Sequence, residues 1–543
     1  MVHDCDVDFI GIWWICLKRL NEKNGSGMDA ARSLSAGSMG ANTASYVLIG
    51  RILTFVMTGI ALVVVTRLLG PSQYGIYTLA IAFASIFGSI GYFGIGTAIN
   101  KFVSESRQRR EADEVNNVVS NALAILFVSG IVLTVVCFSL SGFVSSYVFH
   151  SASMSYVIRL VSFYIITSML FGSVYDTLLG FGHGKHIAIV AGLEAVLQGA
   201  VSIILAFAGF GALAPIFGLI IGFFAGFAVG MFLIFRYDNL KLCMPSARYL
   251  KKILGFSFPV AMSTVAGSLL GSFGLVFLGY FVVPAIIGNI GTAVRVSSMI
   301  SIIFDSISFA LLPAFSAVLA DRKLSKEAGR FYGYVVYLAI ALVSPVLFYM
   351  ALFSRPFSYL IFGPVYSYAP LYISMMSIGL LIGVAGSYAS TILISANKVR
   401  LVFKYNIAIN LVVLAMFLVL VPYFGGNAYV MIAFILSPVI GDLVFIRELS
   451  RMFEVRLRLG KFARLVLANV IVSAVALLLY PFLGGAVLLA SVAIIYLLLY
   501  PLLATLLKGA DIGDINTIKE LSRSIPLAGS VLRALADYAA LAA

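Results

Sequence analysis

Four ionisable residues stand inside long apolar runs: Arg51, Glu194, Arg295 and Asp305. A charge at bilayer depth costs several kcal/mol unless it faces a wet cavity or a partner. Arg295 lies about eight residues into its apolar run, or about 12 Å at 1.5 Å per residue, too deep to reach the outer surface. A guanidinium offers a planar fork of donors that suits phosphate oxygens and does not lose its proton. Arg295 therefore reads as a phosphate ligand in a wet cavity, or as half of a structural ion pair between helices. Arg51, roughly 10 Å above the cytoplasmic end of its run, fits the same cavity role or snorkels to the surface. Glu194 and Asp305 suit binding of a proton or sodium ion, or neutralise the arginines. Asp305 is ten residues from Arg295, about 15 Å along one helix, so these two do not pair directly.

Other candidate chemistry is weaker. Asp4-Cys5-Asp6-Val7-Asp8 imitates a metal-binding DxD but stands in the N-terminal tail. His183 and His186 flank a tight loop with no further ligands, and Gly94-Ile95-Gly96 lacks the strand and helix context of a phosphate loop. The four cysteines, Cys5, Cys16, Cys137 and Cys243, have no CxxC spacing and read as ordinary thiols. No GxSxG, HExxH or Walker loop occurs, so neither hydrolysis nor direct ATP coupling is indicated, and the sequence calls for no metal or other cofactor.

The elements that position these residues follow from composition. The 543-residue chain is 62% apolar and 11% charged, against about 45–50% and about 25% in soluble domains. Apolar runs recur from about residue 44 to about residue 507 without the two-residue alternation of an outer-membrane barrel. The fold class is an all-α polytopic membrane protein, with about 14 spans. Span 1 (44–66) carries Arg51, span 5 (187–208) Glu194, and span 8 (287–315) both Arg295 and Asp305. Asp176 and Asp442 fall near cytoplasmic span ends and read as solvated.

The net charge of +14 is explained by placement. Lysine and arginine gather in alternate connections, 101–114, 236–252, 321–330, 398–404 and 447–464, while only Arg67, Arg159 and Arg355 fall on the opposite side. The positive-inside rule makes the basic connections cytoplasmic and places both termini in the cytoplasm of a multi-pass cell-membrane protein. Insertion topology thus accounts for the charge, and no nucleic-acid partner is expected. Residues 1–27 hold a short apolar run beside Trp13 and Trp14, without a signal-peptide cleavage pattern; they read as an interfacial segment, or as residues outside the native chain if translation begins at Met28. Ile515, Ile518 and Leu521 predict a cytoplasmic amphipathic helix in 511–543.

A shift of 213 to 214 residues lays the first six spans on the next six. Pro71 and Gly75 fall on Pro284 and Gly288, followed by Ala80/Ala293, Ser85/Ser298 and Phe102/Phe315; Gly172-Ser173 and Thr177 fall on Gly386-Ser387 and Thr391. Six is even, so the halves enter the membrane in the same orientation, an arrangement that places substrate between halves that rock to alternate access. The predicted organisation is a cytoplasmic tail (1–42), a first lobe of spans 1–6 (43–250), a second lobe of spans 7–12 (251–455), two extra spans 13–14 (456–508) and an amphipathic cytoplasmic tail (509–543).

These segments also resemble a family. Thr66 to Glu105, TRLLGPSQYGIYTLAIAFASIFGSIGYFGIGTAINKFVSE, is similar to the opening signature of polysaccharide flippases of the Wzx type. LGFSFPVAM (254–262), FLGYFVVPAIIGNIGTAVRVSSM (277–299) and LLPAFSAVLA (311–320) resemble the start of their second half, and LIFGPVYSYAPLYI (360–373) and LISANKVRLVF (393–403) continue the pattern. The resemblance covers roughly residues 42–450. It implies the multidrug, oligosaccharidyl-lipid and polysaccharide exporter superfamily, with 12 to 14 helices in two lobes around a cavity for a lipid-linked sugar. Related flippases of cell-wall precursors carry an arginine at the position matched by Arg295 and a cationic first helix, which supports Arg295 and Arg51 as substrate ligands. One departure is Ser272-Phe273-Gly274, where family members often carry an acid.

The expectation is a transporter, not an enzyme: a flippase that moves polyprenyl-phosphate-linked oligosaccharide across the cell membrane for surface polysaccharide or glycan biosynthesis. Its partners would be that glycan, membrane lipids and glycan-assembly enzymes. The alternatives are a multidrug or cation antiporter of the same superfamily, which needs acids to dominate the cavity, and a membrane-embedded polysaccharide polymerase or ligase, which needs a large outer loop or an acidic constellation.

Overall fold

The computed structural model describes residues 27–151, 153–320, 328–480, 485–523 and 528–540. The tail with Trp13 and Trp14 lies outside the described residues. Helices run throughout: α1 (Gly27–Tyr92), α2 (Ile95–Gln108), α3 (Ala112–Phe143), α4 (Met154–Gly180), α5 (Gly184–Phe207), α6 (Leu213–Asp238), α7 (Ala247–Phe281), α8 (Pro284–Ala320) and α9 (Ala328–Leu352). They continue as α10 (Ser354–Ile361), α11 (Ala369–Ile382), α12 (Val384–Ser395), α13 (Val399–Met431), α14 (Ser437–Met452), α15 (Leu459–Leu479), α16 (Gly485–Leu506), α17 (Ile512–Arg523) and α18 (Ala528–Ala540). No strand occurs among the described residues.

By length and apolarity, nine helices among the described residues are able to cross a membrane, ten if the bent pair α11–α12 is one span. Two of the nine, Leu53–Gln108 and Val399–Met452, are each interrupted by a glycine. Gly70 adopts φ 70, ψ 171, a conformation essentially closed to residues with a Cβ, and Pro71 then starts a second arm. Gly425 (φ 57, ψ −134) does the same inside α13. Phe207, Phe232, Leu411 and Leu478 are exposed, which suits a protein whose solvent is lipid. The chain is a polytopic helical membrane protein.

The helices pack as two compact units. One comprises Leu34–Thr292 and Asn406–Tyr429. In it α6 lays glycines against its neighbours: a Cβ on Gly222 would stand 2.9 Å from the Glu194 carbonyl oxygen of α5, and one on Gly226 2.6 Å from the Phe171 ring of α4. Small residues at four-residue spacing let membrane helices approach this closely. The repeat is visible in the same unit. A Cβ on Gly75 would collide with the Pro284 carbonyl oxygen and stand 2.6 Å from its carbon, while one on Gly288 would collide with the Pro71 carbonyl oxygen and stand 2.9 Å from its carbon. The residues paired by the sequence shift therefore meet reciprocally, each glycine receiving the backbone that opens the other helix arm. This crossing holds the start of α8 in the first unit.

Among the described residues the second unit comprises 27–33, Ala293–Tyr405 and Val430–Ala543. Here α9, α15 and α16 are joined by polar side chains. Asn469 Nδ2 donates to Ser344 Oγ at 3.0 Å, Tyr500 OH donates to the Ala341 carbonyl at 2.8 Å, and the Ser473 and Tyr496 hydroxyls are 2.6 Å apart. The C-terminal segment forms two helices rather than one, with Ile515 of α17 buried against Ala536 and Ala539 of α18. Asp514, 4% exposed, anchors α17: it accepts from Lys461 Nζ at 2.8 Å, Tyr337 OH at 3.1 Å and the Asp511 N–H at 3.0 Å. Hydrogen bonds to a charged group are worth about 1.5–3 kcal/mol, and losing Asp514 removes all three at once, although Lys461 keeps Asp511 and Tyr337 keeps the Gly509 carbonyl. Asp514→Ala should therefore release α17 and α18 while the spans stay folded. Hydrogen exchange should then rise in 512–540 and not in α9.

Candidate transport cavity

A polar cavity of about 590 Å³ opens within the first unit, between the second arm of α1, the start of α2, and α4. Helical periodicity builds its walls. Ser85, Gly88, Ser89 and Tyr92 follow one face of α1 at steps of three, one and three, and Tyr164, Ser168, Gly172 and Asp176 follow one face of α4 at steps of four. Between α1 and α2 the span breaks: Phe93 has φ 41 and Gly94 φ 68. The helical ladder ends with Phe93 N–H to Ser89 O at 3.5 Å and resumes with Ala98 N–H to Gly94 O at 3.4 Å. The first turn of α2 thus begins at the cavity wall, with N–H groups that its own helix leaves unpaired.

Asp176 occupies that helix start. Tyr92 OH donates to its Oδ2 at 2.5 Å. Two glycines make the room: a Cβ on Gly96 would collide with Asp176 Oδ2 and stand 2.6 Å from the Tyr92 hydroxyl, and one on Gly172 would stand 2.8 Å from that hydroxyl. A carboxyl group at a helix N-terminus is favoured by the helix dipole. The second unit repeats the device on other residues. Its span breaks by 43° between α11 and α12, and Asp442 Oδ1 accepts the Gly386 N–H, third in α12, at 2.7 Å. The reading of Asp176 and Asp442 as simply solvated is thereby corrected: each is held by a polar partner at a broken helix. Gly94 is the residue from which α2 starts, and no strand precedes it among the described residues.

The predicted site residues are placed as follows. Arg295 lies on α8 with an exposed side chain, one turn before Ser298, whose hydroxyl donates to the Arg295 carbonyl at 2.8 Å. Glu194 is 7% exposed, packed on α5 beneath the glycine face of α6, and is not among the residues lining the Asp176 cavity. Arg51 and Asp305 lie on α1 and α8, and their side chains fall outside the described residues. Among the described residues no group of three His, Cys, Asp or Glu side chains forms a metal site. His183 instead faces Asp238, Nδ1 to Oδ2 3.4 Å.

A family profile described as polysaccharide biosynthesis protein matches residues 40–319, more than half of the chain. The chain belongs to this family. The matched region contains the crossing at Gly75 and Gly288, the Asp176 cavity, Arg51, Glu194, Arg295 and Asp305. No curated protein sequence matches the chain. Solved structures share the fold of this chain at low identity. The lipid II flippase MurJ in an inward closed conformation has a TM-score of 0.69 at 14% identity, covering 84% of this chain and 97% of that one. An inward-facing multidrug resistance MATE family transporter of the MOP superfamily has a TM-score of 0.59 at 15% identity, covering 75% and 98%. A MOP superfamily transporter from Pyrococcus furiosus, whose binding pocket is described as having reverse polarity, has a TM-score of 0.53 at 15% identity, covering 76% and 96%. The family is that of polysaccharide biosynthesis proteins, and the fold is one shared with solved membrane transporters and a lipid II flippase.

Proposed function

We propose that the protein flips a polyprenyl-phosphate-linked oligosaccharide from the cytoplasmic to the outer leaflet for surface-glycan assembly. The observation that carries this reading is the family match across residues 40–319; the fold shared with a lipid II flippase supports it. In this mechanism Arg295, with Arg51, holds the phosphate, because a guanidinium binds phosphate oxygens bidentately. The sugar travels in the polar interior and the lipid tail stays in the bilayer. The two sequence halves rock to alternate access. Cells depleted of the protein should accumulate the lipid-linked glycan in the inner leaflet, out of reach of an externally added glycosidase. Undiminished external access after depletion would sink the reading.

The expected orientation has both termini cytoplasmic. A cysteine at Arg109, exposed between α2 and α3, should be shielded from an impermeant thiol reagent applied outside, whereas one at Tyr423, 81% exposed, should react. Labelling in the opposite sense would invert the topology.

Glu194 and Asp305 are the proposed ion-coupling groups. If a proton or sodium gradient drives transport, Glu194→Gln or Asp305→Asn should lose gradient-dependent accumulation and keep slow exchange between leaflets. If both variants respond to imposed gradients like the parent, the carboxyls serve as arginine partners and direction comes from consumption of the glycan outside. A cation antiporter remains the second reading, favoured by the carboxyl of Asp176 at a cavity wall; it predicts efflux of cationic drugs with no effect on the lipid-linked glycan.

A further inference from the structure

The Asp176 cavity has a chemical character distinct from a phosphate site. Among the described residues its lining carries hydroxyls from Ser85, Ser89, Tyr92, Thr97, Tyr164 and Ser168, the amide of Asn100, and a single carboxyl, with no lysine or arginine. The described lining supplies no cation to neutralise a phosphate. Its volume of about 590 Å³ lies inside the roughly 300–1,000 Å³ range of small-molecule sites. Hydroxyl and amide groups both donate and accept, as ring hydroxyls require, and a carboxyl oxygen has two acceptor positions, of which Tyr92 uses one on Oδ2. The aromatic rings of Tyr164 and Phe93 add apolar faces to the same walls.

We propose that this cavity is a saccharide subsite that takes uncharged or amino sugars and rejects sugars bearing a carboxylate. The subsite rests on the glycan-flippase reading and narrows it: the uncharged end of the glycan docks on Asp176 and Tyr92, while the phosphate is held elsewhere, on cations this cavity lacks. Asp176 is the selecting group. It accepts hydrogen bonds from sugar hydroxyls or an ammonium, and it repels a uronate, whose charge would be brought against it without a compensating cation. Tyr92 positions the carboxyl, and Gly96 and Gly172 leave both side chains the space to face the cavity.

The test uses the full chain in lipid nanodiscs, with saturation-transfer NMR of two free disaccharides, cellobiose and its glucuronate-containing analogue. The parent should bind cellobiose and not the uronate. Asp176→Asn should weaken cellobiose about tenfold or more, the effect of losing a charge-assisted hydrogen bond, and should reduce the discrimination against the uronate. Ser89→Trp, which fills the cavity from α1 and leaves Asp176 itself in place, should abolish binding and covers the case in which the Asp176 variant fails to fold. Equal binding of both sugars by the parent overturns the subsite, as does cellobiose binding unaffected by Ser89→Trp, or Asp176-dependent binding of tetraphenylphosphonium in place of either sugar. Flipping of a lipid-linked oligosaccharide, measured on the same preparation in vesicles, separates the two levels. Flipping without sugar discrimination removes the subsite and leaves the flippase; discrimination without flipping removes the flippase and leaves the subsite.

Discussion

Gly75→Ala should leave little folded protein in the membrane, with any extracted material unfolding at a much lower temperature than the parent. The added methyl would collide with the Pro284 carbonyl oxygen and stand 2.6 Å from its carbon and 3.0 Å from the Gly288 nitrogen. These are backbone atoms of a second helix and have no rotamer through which to yield, so the two helix starts must move apart. Overpacking costs typically 1–3 kcal/mol, and at a backbone contact the loss should reach about 3 kcal/mol or more. Gly288→Ala should cost a similar amount, because Pro71 meets it in the same way. The double variant should cost less than the sum, since one separation relieves both clashes. Gly88→Ala is the control, having nothing within 4 Å of its built Cβ; it should fold normally. Size-exclusion profiles and thermal unfolding of all four variants decide this, and a Gly75→Ala protein as stable as Gly88→Ala would show that the crossing is looser than described.

Arg295→Ala should lower flipping by about tenfold or more while insertion and stability stay near those of the parent. The two halves of this expectation have separate grounds. The side chain is exposed, so its removal opens no packed core. A charge-assisted hydrogen bond to phosphate is worth about 1.5–3 kcal/mol, which at 1.4 kcal/mol per decade is roughly one to two powers of ten. Arg295→Lys should recover part of the rate, because a point charge keeps the attraction and loses the bidentate fork. Near-normal flipping by the alanine variant at matched expression would reduce Arg295 to a structural residue.

The fold was largely legible because its governing signals are local or periodic. Continuous apolar runs separate membrane helices from barrels, and the 213-residue shift aligned Pro71 with Pro284 and Gly75 with Gly288 before the structure brought them together. Interruptions within spans were not legible. The stretch 74–99 reads as one span, yet it breaks at Phe93 and Gly94; 369–394 breaks near Gly383. Apolarity continues unchanged through both breaks, so hydropathy has nothing to register there.

The cavity is hidden from hydropathy for a related reason: the distance of Asp176 and Asp442 from span ends gives depth and not partners. A usable signal did exist: Ser85, Ser89 and Tyr92 on one helix face, and Tyr164, Ser168 and Asp176 on another, form polar stripes at helical spacing inside apolar spans. The C-terminal segment shows the same limit, since periodicity at Ile515 predicts an amphipathic helix and does not predict that α18 folds back to cover it.

The most direct test of the account is transport by the purified protein alone. It should be reconstituted in vesicles with a polyprenyl-diphosphate-linked oligosaccharide carrying a fluorophore on the sugar, distributed over both leaflets, and challenged with an impermeant reductant outside. A functioning flippase predicts that nearly all fluorophore is bleached, at a rate that rises with protein per vesicle and falls in Arg295→Ala. Bleaching that stops at the outer-leaflet fraction, as in protein-free vesicles, would contradict the account.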